Sequence, residues 1–193
     1  RSNSVLNDDR NPSLDFMMKS GEYAVSFFKK EIENDFYFIP KFATHRPAAA
    51  DLIEGKFHEP DTHKLVELFL KKNGGSILHA GTFYGDMLPK FSKFSKFVYS
   101  FEPLMENFIL ANLCVQENDL TNTFLYNFAL SNSNEVVRIS SKSFTGKHAG
   151  GTSKIAKEGL LTPSCKIDNF EYDDLKILHL DIEGHELPAL KGG

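Results

Sequence analysis

The sequence has no tryptophan and only 2 cysteines among 193 residues. Cys114 and Cys165 lie far apart, with no C-x-x-C pair and no histidine at a zinc spacing. Neither a disulfide framework nor a structural zinc site is legible, and two buried thiols in a reducing compartment, hence a cytoplasmic protein, are expected. A basic excess is missing too: 22 Lys and Arg stand against 26 Asp and Glu, for a net charge of −4. Without a basic stripe to neutralise phosphates, nucleic acid is not an expected partner. Long apolar runs are also absent. Residues 76–80 and 97–101 fall far short of the ~20 that cross a bilayer, so no membrane partner is expected either. No basic, apolar leader opens the chain, and its first residue, Arg1, reads as a processed or trimmed start.

What is present is a large aromatic and aliphatic stock, with 18 Phe, 6 Tyr and 41% hydrophobic residues, enough for one sizeable core. Residues 1–60 read as a helical extension and connector. Leu14, Met17, Met18, Ala24, Phe27, Phe28 and Ile32 recur at intervals of three and four, which predicts two short amphipathic helices hinged near Gly21. Residues 36–40 suit a short strand or a plug against the main domain, and residues 45–60 a connector.

Residues 61–193 alternate between strand and helix patterns. Asp61 or Thr62 is placed to cap a helix whose Leu65, Leu68 and Phe69 share a face and which Gly74-Gly75 ends. Strands are predicted at residues 76–80, 97–101, 123–128 and 175–180, with an added strand at 135–139 and helices at 104–118 and after Pro89. This β-α-β-α-β order predicts a doubly wound, mostly parallel α/β sheet. Residues 140–157, with Gly150-Gly151-Thr152-Ser153, suit a lid on the acceptor side.

In such a sheet ligands bind outside the carboxyl ends of the strands. Three of those ends concentrate glycines and acids: Gly81-Thr82-Phe83-Tyr84-Gly85-Asp86, then Glu102, then Asp181-Ile182-Glu183-Gly184-His185-Glu186. Glu102 lies about 20 positions after Gly81, the offset at which an acid meets a ribose hydroxyl. A dinucleotide needs G-x-G-x-x-G so that backbone can approach its pyrophosphate, but Phe83 and Tyr84 crowd this turn. S-adenosyl-L-methionine carries an adenosine and a sulfonium but no phosphate, and suits the bulkier loop better. Asn127, Phe128, Ala129 and Leu130 supply a polar group and apolar surface for an adenine; Phe128 and Leu130 fit ordinary core equally well.

These segments in order, with Phe101-Glu102-Pro103 and Asn107, Ala129-Leu130-Ser131, Ile167-Asp168-Asn169-Phe170 and the run from Leu180 through Leu190-Lys191-Gly192, resemble the FkbM family of S-adenosylmethionine-dependent methyltransferases. The resemblance covers residues 61–193. It implies a class I methyltransferase (Rossmann-like) fold and O-methylation of a small-molecule acceptor, often a sugar or metabolite hydroxyl. It also implies that Gly81 to Asp86, Glu102, Pro103, Asn107, Asn127, Ala129, Leu130 and Asp181 hold the cofactor. One departure is His79, which stands where the family carries an acid at the end of the first strand. His79 either replaces that acid toward the cofactor, binds a different ligand, marks weakened cofactor binding, or is a buried hydrogen-bonded histidine.

For methyl transfer the protein must place the acceptor and receive its proton. Asp181, Glu183 and His185 are the catalytic candidates. Asp181 sits at a strand end, and the ordinary pKa of His185 lies near working pH, while Glu186 fits a helix N-terminus better than the chemistry. Two other readings stay open: a methyltransferase-fold binding module without catalysis, and a metal-dependent oxygenase using His179, Asp181 and a distant His148. His58 and His63 form a still weaker metal pair, and no metal is expected. The strand ending at Asp181 counts as the fourth of about seven in this fold, so the domain's last strands are expected to lie outside these residues. An uncovered sheet edge there invites association into a homo-oligomer.

Overall fold

The computed structural model describes residues 15–20, 23–140 and 154–193. Its centre is a four-stranded parallel sheet of β4 (Ser76–Ala80), β5 (Val98–Phe101), β6 (Thr123–Tyr126) and β11 (Leu175–Leu180), in the order β11-β4-β5-β6. All residues of β4 and β5 are buried, as the short apolar runs require when both faces are covered. The helices α3 (Leu88–Phe94) and α4 (Met105–Glu117) connect β4 to β5 and β5 to β6. The chain lays down β4, β5 and β6 in one direction, then returns to pair β11 on the other side of β4, with Leu180 beside Ala80. The strand order therefore reverses between β4 and β11, which is where an open α/β sheet leaves a crevice.

A second sheet sits past the carboxyl edge: β7 (Ala129–Leu130), β8 (Val136–Ser140), β9 (Lys154–Ile155) and β10 (Leu160–Cys165), in the order β7-β10-β8-β9. The expected lid falls mostly on residues 141–153, which lie outside the described residues, as does His148. The helix α5 (Glu186–Lys191) follows β11.

The amino-terminal segment corrects the sequence expectation. In place of two helices it forms an antiparallel meander of β1 (Asp15–Ser20), β2 (Tyr23–Ile32) and β3 (Asp35–Pro40), and the expected connector holds a helix, α1 (Pro47–Ile53). Spacing of three and four competes here with a period of two, since Val25 and Phe27 point inward from β2. The decisive local feature is the turn Glu33-Asn34, whose φ values of 52° and 68° make the two-residue hairpin that joins Ile32 to Asp35. Glu at its first position masks the usual Asn-Gly signal.

The meander is welded to the parallel sheet rather than standing apart from it. Tyr37, Phe38, Ile39, Ala49 and Leu52 share one buried cluster with Phe83, Tyr84, Leu110 and Cys114. Asn118 accepts the Phe36 N–H at 2.6 Å and donates to its carbonyl at 2.7 Å, and the Tyr84 hydroxyl donates to the Ala48 carbonyl at 2.9 Å. Residues on both sides of position 60 therefore build one core. A second correction concerns α2 (Pro60–Asn73): its cap is Glu59, not Asp61 or Thr62, and its inward residues are Val66 and Leu70. Leu65, Leu68 and Phe69 face out, with Leu65 69% exposed. Cys114 and Cys165 are both free and buried.

Candidate functional site

At the reversal point the backbones of Gly81 and Asp181 abut. Gly81 has φ 88°, and a Cβ there would overlap the Asp181 carbonyl oxygen, so only glycine lets the two strand ends meet. Both residues line two clefts, one on each side.

The first cleft is mainly apolar. Phe101, Phe128, Leu130, Ile139, Ile155 and Ile182 form its walls. The charged or titratable side chains along it are two carboxylates, Glu102 and Asp181, and His185; no lysine or arginine lines it among the described residues. Glu102 is 4% exposed and accepts the Phe83 N–H at 2.8 Å, the Leu104 N–H at 2.9 Å and the Asn107 amide at 3.3 Å. Burial pushes its pKa up to about 8, against the three donated hydrogen bonds. Asn127 donates to the Glu102 and Pro103 carbonyls, fixing the bend that turns Glu102 toward the cleft. His185 Nε2 lies 3.0 Å from Ser131 Oγ, and burial lowers the His185 pKa.

The second cleft is more polar than the first and has a cavity volume of about 270 Å³. Its floor is the adjacent pair His79 and His179, in register on β4 and β11, with their Nδ1 atoms 2.9 Å apart. Phe91 meets both rings edge-on, and burial, the first cause for each, lowers both pKa values, so both imidazoles stay neutral near pH 7. Asp86 and Glu183 supply further walls from the two loops, and Arg46, His58 and Glu59 come from the amino-terminal segment. Glu59, Phe83 and Glu183 hold φ values of 47°, 52° and 55°, so three of the cleft's residues sit in left-handed backbone uncommon for side-chain-bearing residues.

The structure brings Gly81, Glu102, Pro103, Ala129, Leu130, Asp181 and His185 to the first cleft, and His79, Phe83, Asp86, Asp181 and Glu183 to the second. Five expected cofactor residues line neither. Thr82 is buried with its hydroxyl on Ser100 and the Phe101 carbonyl, and Tyr84 lies in the core against Ala48. Gly85 packs against Ala111 and Cys114 of α4, and Asn107 supports Glu102 from behind. Asn127 likewise acts through the backbone it holds. Glu186 accepts the Ile182 and Gly184 N–H groups at 3.2 and 3.1 Å, the helix-start role expected of it. Sequence reasoning missed Arg46 and Glu59, which stand in no motif, and Ile139 and Ile155, which reach the cleft only through the second sheet. His63 lies on α2 against Phe91, and His58 pairs with Asp51 at 2.7 Å. Among the described residues no group of three His, Cys, Asp or Glu side chains is placed to hold a metal ion, and no helix is long and apolar enough to cross a membrane.

No family model and no curated protein matches the chain. Among solved structures it is similar to Methyltransferase FkbM from Methylobacillus flagellatus KT, at 19% identity and a TM-score of 0.45, over 62% of this chain and 28% of that one.

Proposed function

We propose that the chain is the cofactor-binding part of an S-adenosylmethionine-dependent methyltransferase, acting on a hydroxyl of a small polar acceptor such as a sugar or other metabolite. One observation carries the reading: the crevice at the strand reversal is apolar, and its charged side chains are the carboxylates of Glu102 and Asp181. A phosphate-bearing dinucleotide would meet two carboxyl groups and no lysine or arginine there, while an adenosine with a sulfonium finds apolar walls and acidic partners.

In this assignment Phe128, Leu130, Ile139 and Ile155 enclose the base. Glu102 accepts the ribose hydroxyls through the lone pairs left by its three backbone and amide donors. When bound, the cofactor supplies an electrophilic methyl group. Asp181 stands at the junction of the two clefts, where its carboxylate favours positive charge. His185, held by Ser131 and neutral, is placed to receive the acceptor's proton. His79 does not line the adenosine side; it belongs to the polar cleft. Its burial against His179 supports the reading of His79 as a hydrogen-bonded buried histidine, and a binding module without catalysis stays as the alternative.

Calorimetry with S-adenosylmethionine and S-adenosylhomocysteine on the folded chain is the test. We expect saturable binding of both, weakened at least tenfold in Glu102→Ala. A folded protein that binds neither would end the proposal. Binding without turnover in methyl-transfer assays on a chain extended at its C-terminus would favour the binding module.

A further inference from the structure

His185 stands at the start of α5 and lines the first cleft beside Asp181 and Ile182. Its Nε2 meets the hydroxyl of Ser131, a residue that directly follows β7 and is buried. The Ser131 N–H donates to the Cys165 carbonyl at 2.8 Å, which holds the serine to the end of β10. Gly192 closes from the far end of α5, where a Cβ would fall 2.2 Å from the Ser131 carbonyl oxygen. Three elements therefore fix this hydroxyl against the ring before any ligand arrives. A serine hydroxyl has one proton to give and lone pairs to accept with. Ser131 Oγ has two side-chain partners: His185 Nε2 at 3.0 Å and Asn132 Oδ1 at 3.3 Å. An amide oxygen only accepts, so the hydroxyl proton goes to Asn132, and the lone pair turned toward His185 calls for an N–H at Nε2. The neutral ring then carries its own lone pair on Nδ1. That nitrogen has no hydrogen-bond partner among the described residues and is not one of the buried orphan atoms.

We infer that Ser131 is a positioning residue which, with Asn132, fixes the Nε2–H tautomer of His185 and so makes Nδ1 the atom that takes the acceptor's proton. The inference rests on the methyltransferase reading for the acceptor, but not for the tautomer. In the transfer the acceptor's O–H bond breaks as its oxygen bonds the methyl carbon. The proton passes to Nδ1, and the electron pair of the breaking S–C bond stays on sulfur, leaving a neutral thioether. The charge that His185 gains is held at its other nitrogen, because an imidazolium Nε2–H donates to Ser131 more strongly than a neutral one. Glu186, next to it on α5, favours the same charge, while burial, the larger influence, holds His185 below the usual histidine range and keeps Nδ1 free near pH 7. The other titratable groups along the cleft are Asp181 and Glu102, from the ends of β11 and β5.

Two-bond 1H–15N NMR of the chain labelled at histidine reads both the tautomer and the titration of His185, whose signals are those lost in His185→Gln. Above its pKa we expect Nε2 protonated and Nδ1 bare. Ser131→Ala removes the acceptor that steadies the imidazolium, so the His185 pKa falls by roughly half a unit and the tautomers mix. Ser131→Thr, which keeps a hydroxyl, restores the single tautomer and the pKa. Asn132→Ala, at an exposed position, frees the hydroxyl proton for Nε2 and moves the ring toward the Nδ1–H form; it serves if Ser131→Ala does not fold. A hydroxyl that donated to Nε2 would instead hold the ring neutral, and its removal would raise the pKa. A folded chain with the proton on Nδ1, a pKa that rises in Ser131→Ala, or a tautomer unmoved by both substitutions overturns the inference. Calorimetry with S-adenosylhomocysteine on the same samples reports separately on the reading beneath it. If that ligand fails to bind while the tautomer and its dependence on Ser131 stand, the methyltransferase reading falls alone.

Discussion

Glu102 shows how a single side chain serves both fold and site. Its two oxygens gather N–H donors from Phe83, Leu104 and Asn107, so the loop after β4 and the start of α4 are tied to the end of β5. Glu102→Gln turns one acceptor into an N–H that faces another donor. We expect a loss of about 1–3 kcal/mol in denaturant unfolding. Titration gives a second residue-level prediction. Asp86 and Glu102 have folded pKa values raised to about 7 and about 8 from 3.8 and 4.5, so the folded protein holds protons that the unfolded chain has released. Their contribution to stability therefore falls as pH rises through that range. His63 works the other way: burial lowers its pKa from 6.5 to about 4, so its contribution is lost as pH falls across that interval. Between about pH 7 and 8 His63 is largely neutral in both states, and the raised carboxyls set the slope. Thermal unfolding should show Tm declining across that window, with a shallower decline in Asp86→Asn.

Among the elements, α2 is the clearest test of which face matters. Leu70→Ala should cost roughly 2–5 kcal/mol, as for other buried leucines, while Leu65→Lys should stay within about 0.5 kcal/mol, read by chemical denaturation. The sequence pattern named Leu65, Leu68 and Phe69 as one face because they are the larger apolar residues, yet Val66 and Leu70 are the ones that meet the body. Helical spacing finds a stripe but not its direction. Strands were easier: Ser76–Ala80, buried throughout, reads as a continuous apolar run, and Leu175–Leu180 was legible to the residue as well, although it is an edge strand with Lys176 and Leu178 exposed. The meander was not, since its inward period of two overlaps a helical spacing and its Glu33-Asn34 turn lacks glycine. The first cleft was legible for a related reason, as its acids and glycines sit at strand ends. The second was not, because Arg46 and Glu59 come from a region whose fold was misread.

For the whole molecule, the shared core predicts that the amino-terminal residues are not removable. A chain beginning at Pro60 would expose Phe83, Tyr84, Leu110 and Cys114, which Tyr37, Phe38 and Ile39 cover. We expect it to lose cooperative thermal unfolding, and a sharp transition in that truncated chain would show the two parts to be independent. The second cleft depends on the same union, since Glu59 and Arg46 reach it only while the meander and α1 stay docked.

The junction of Gly81 with Asp181 also bears on the order of folding. His79 and His179 are 100 residues apart in sequence, and β4 pairs with β11 only after that whole span has closed on itself. Contacts of such separation form late, when the entropy of closing the intervening chain has already been offset by local structure. Both clefts share this one seam, so neither exists in a partly folded chain. A ligand of either cleft should then leave the refolding rate nearly unchanged and slow unfolding instead, acting as a latch on the finished molecule.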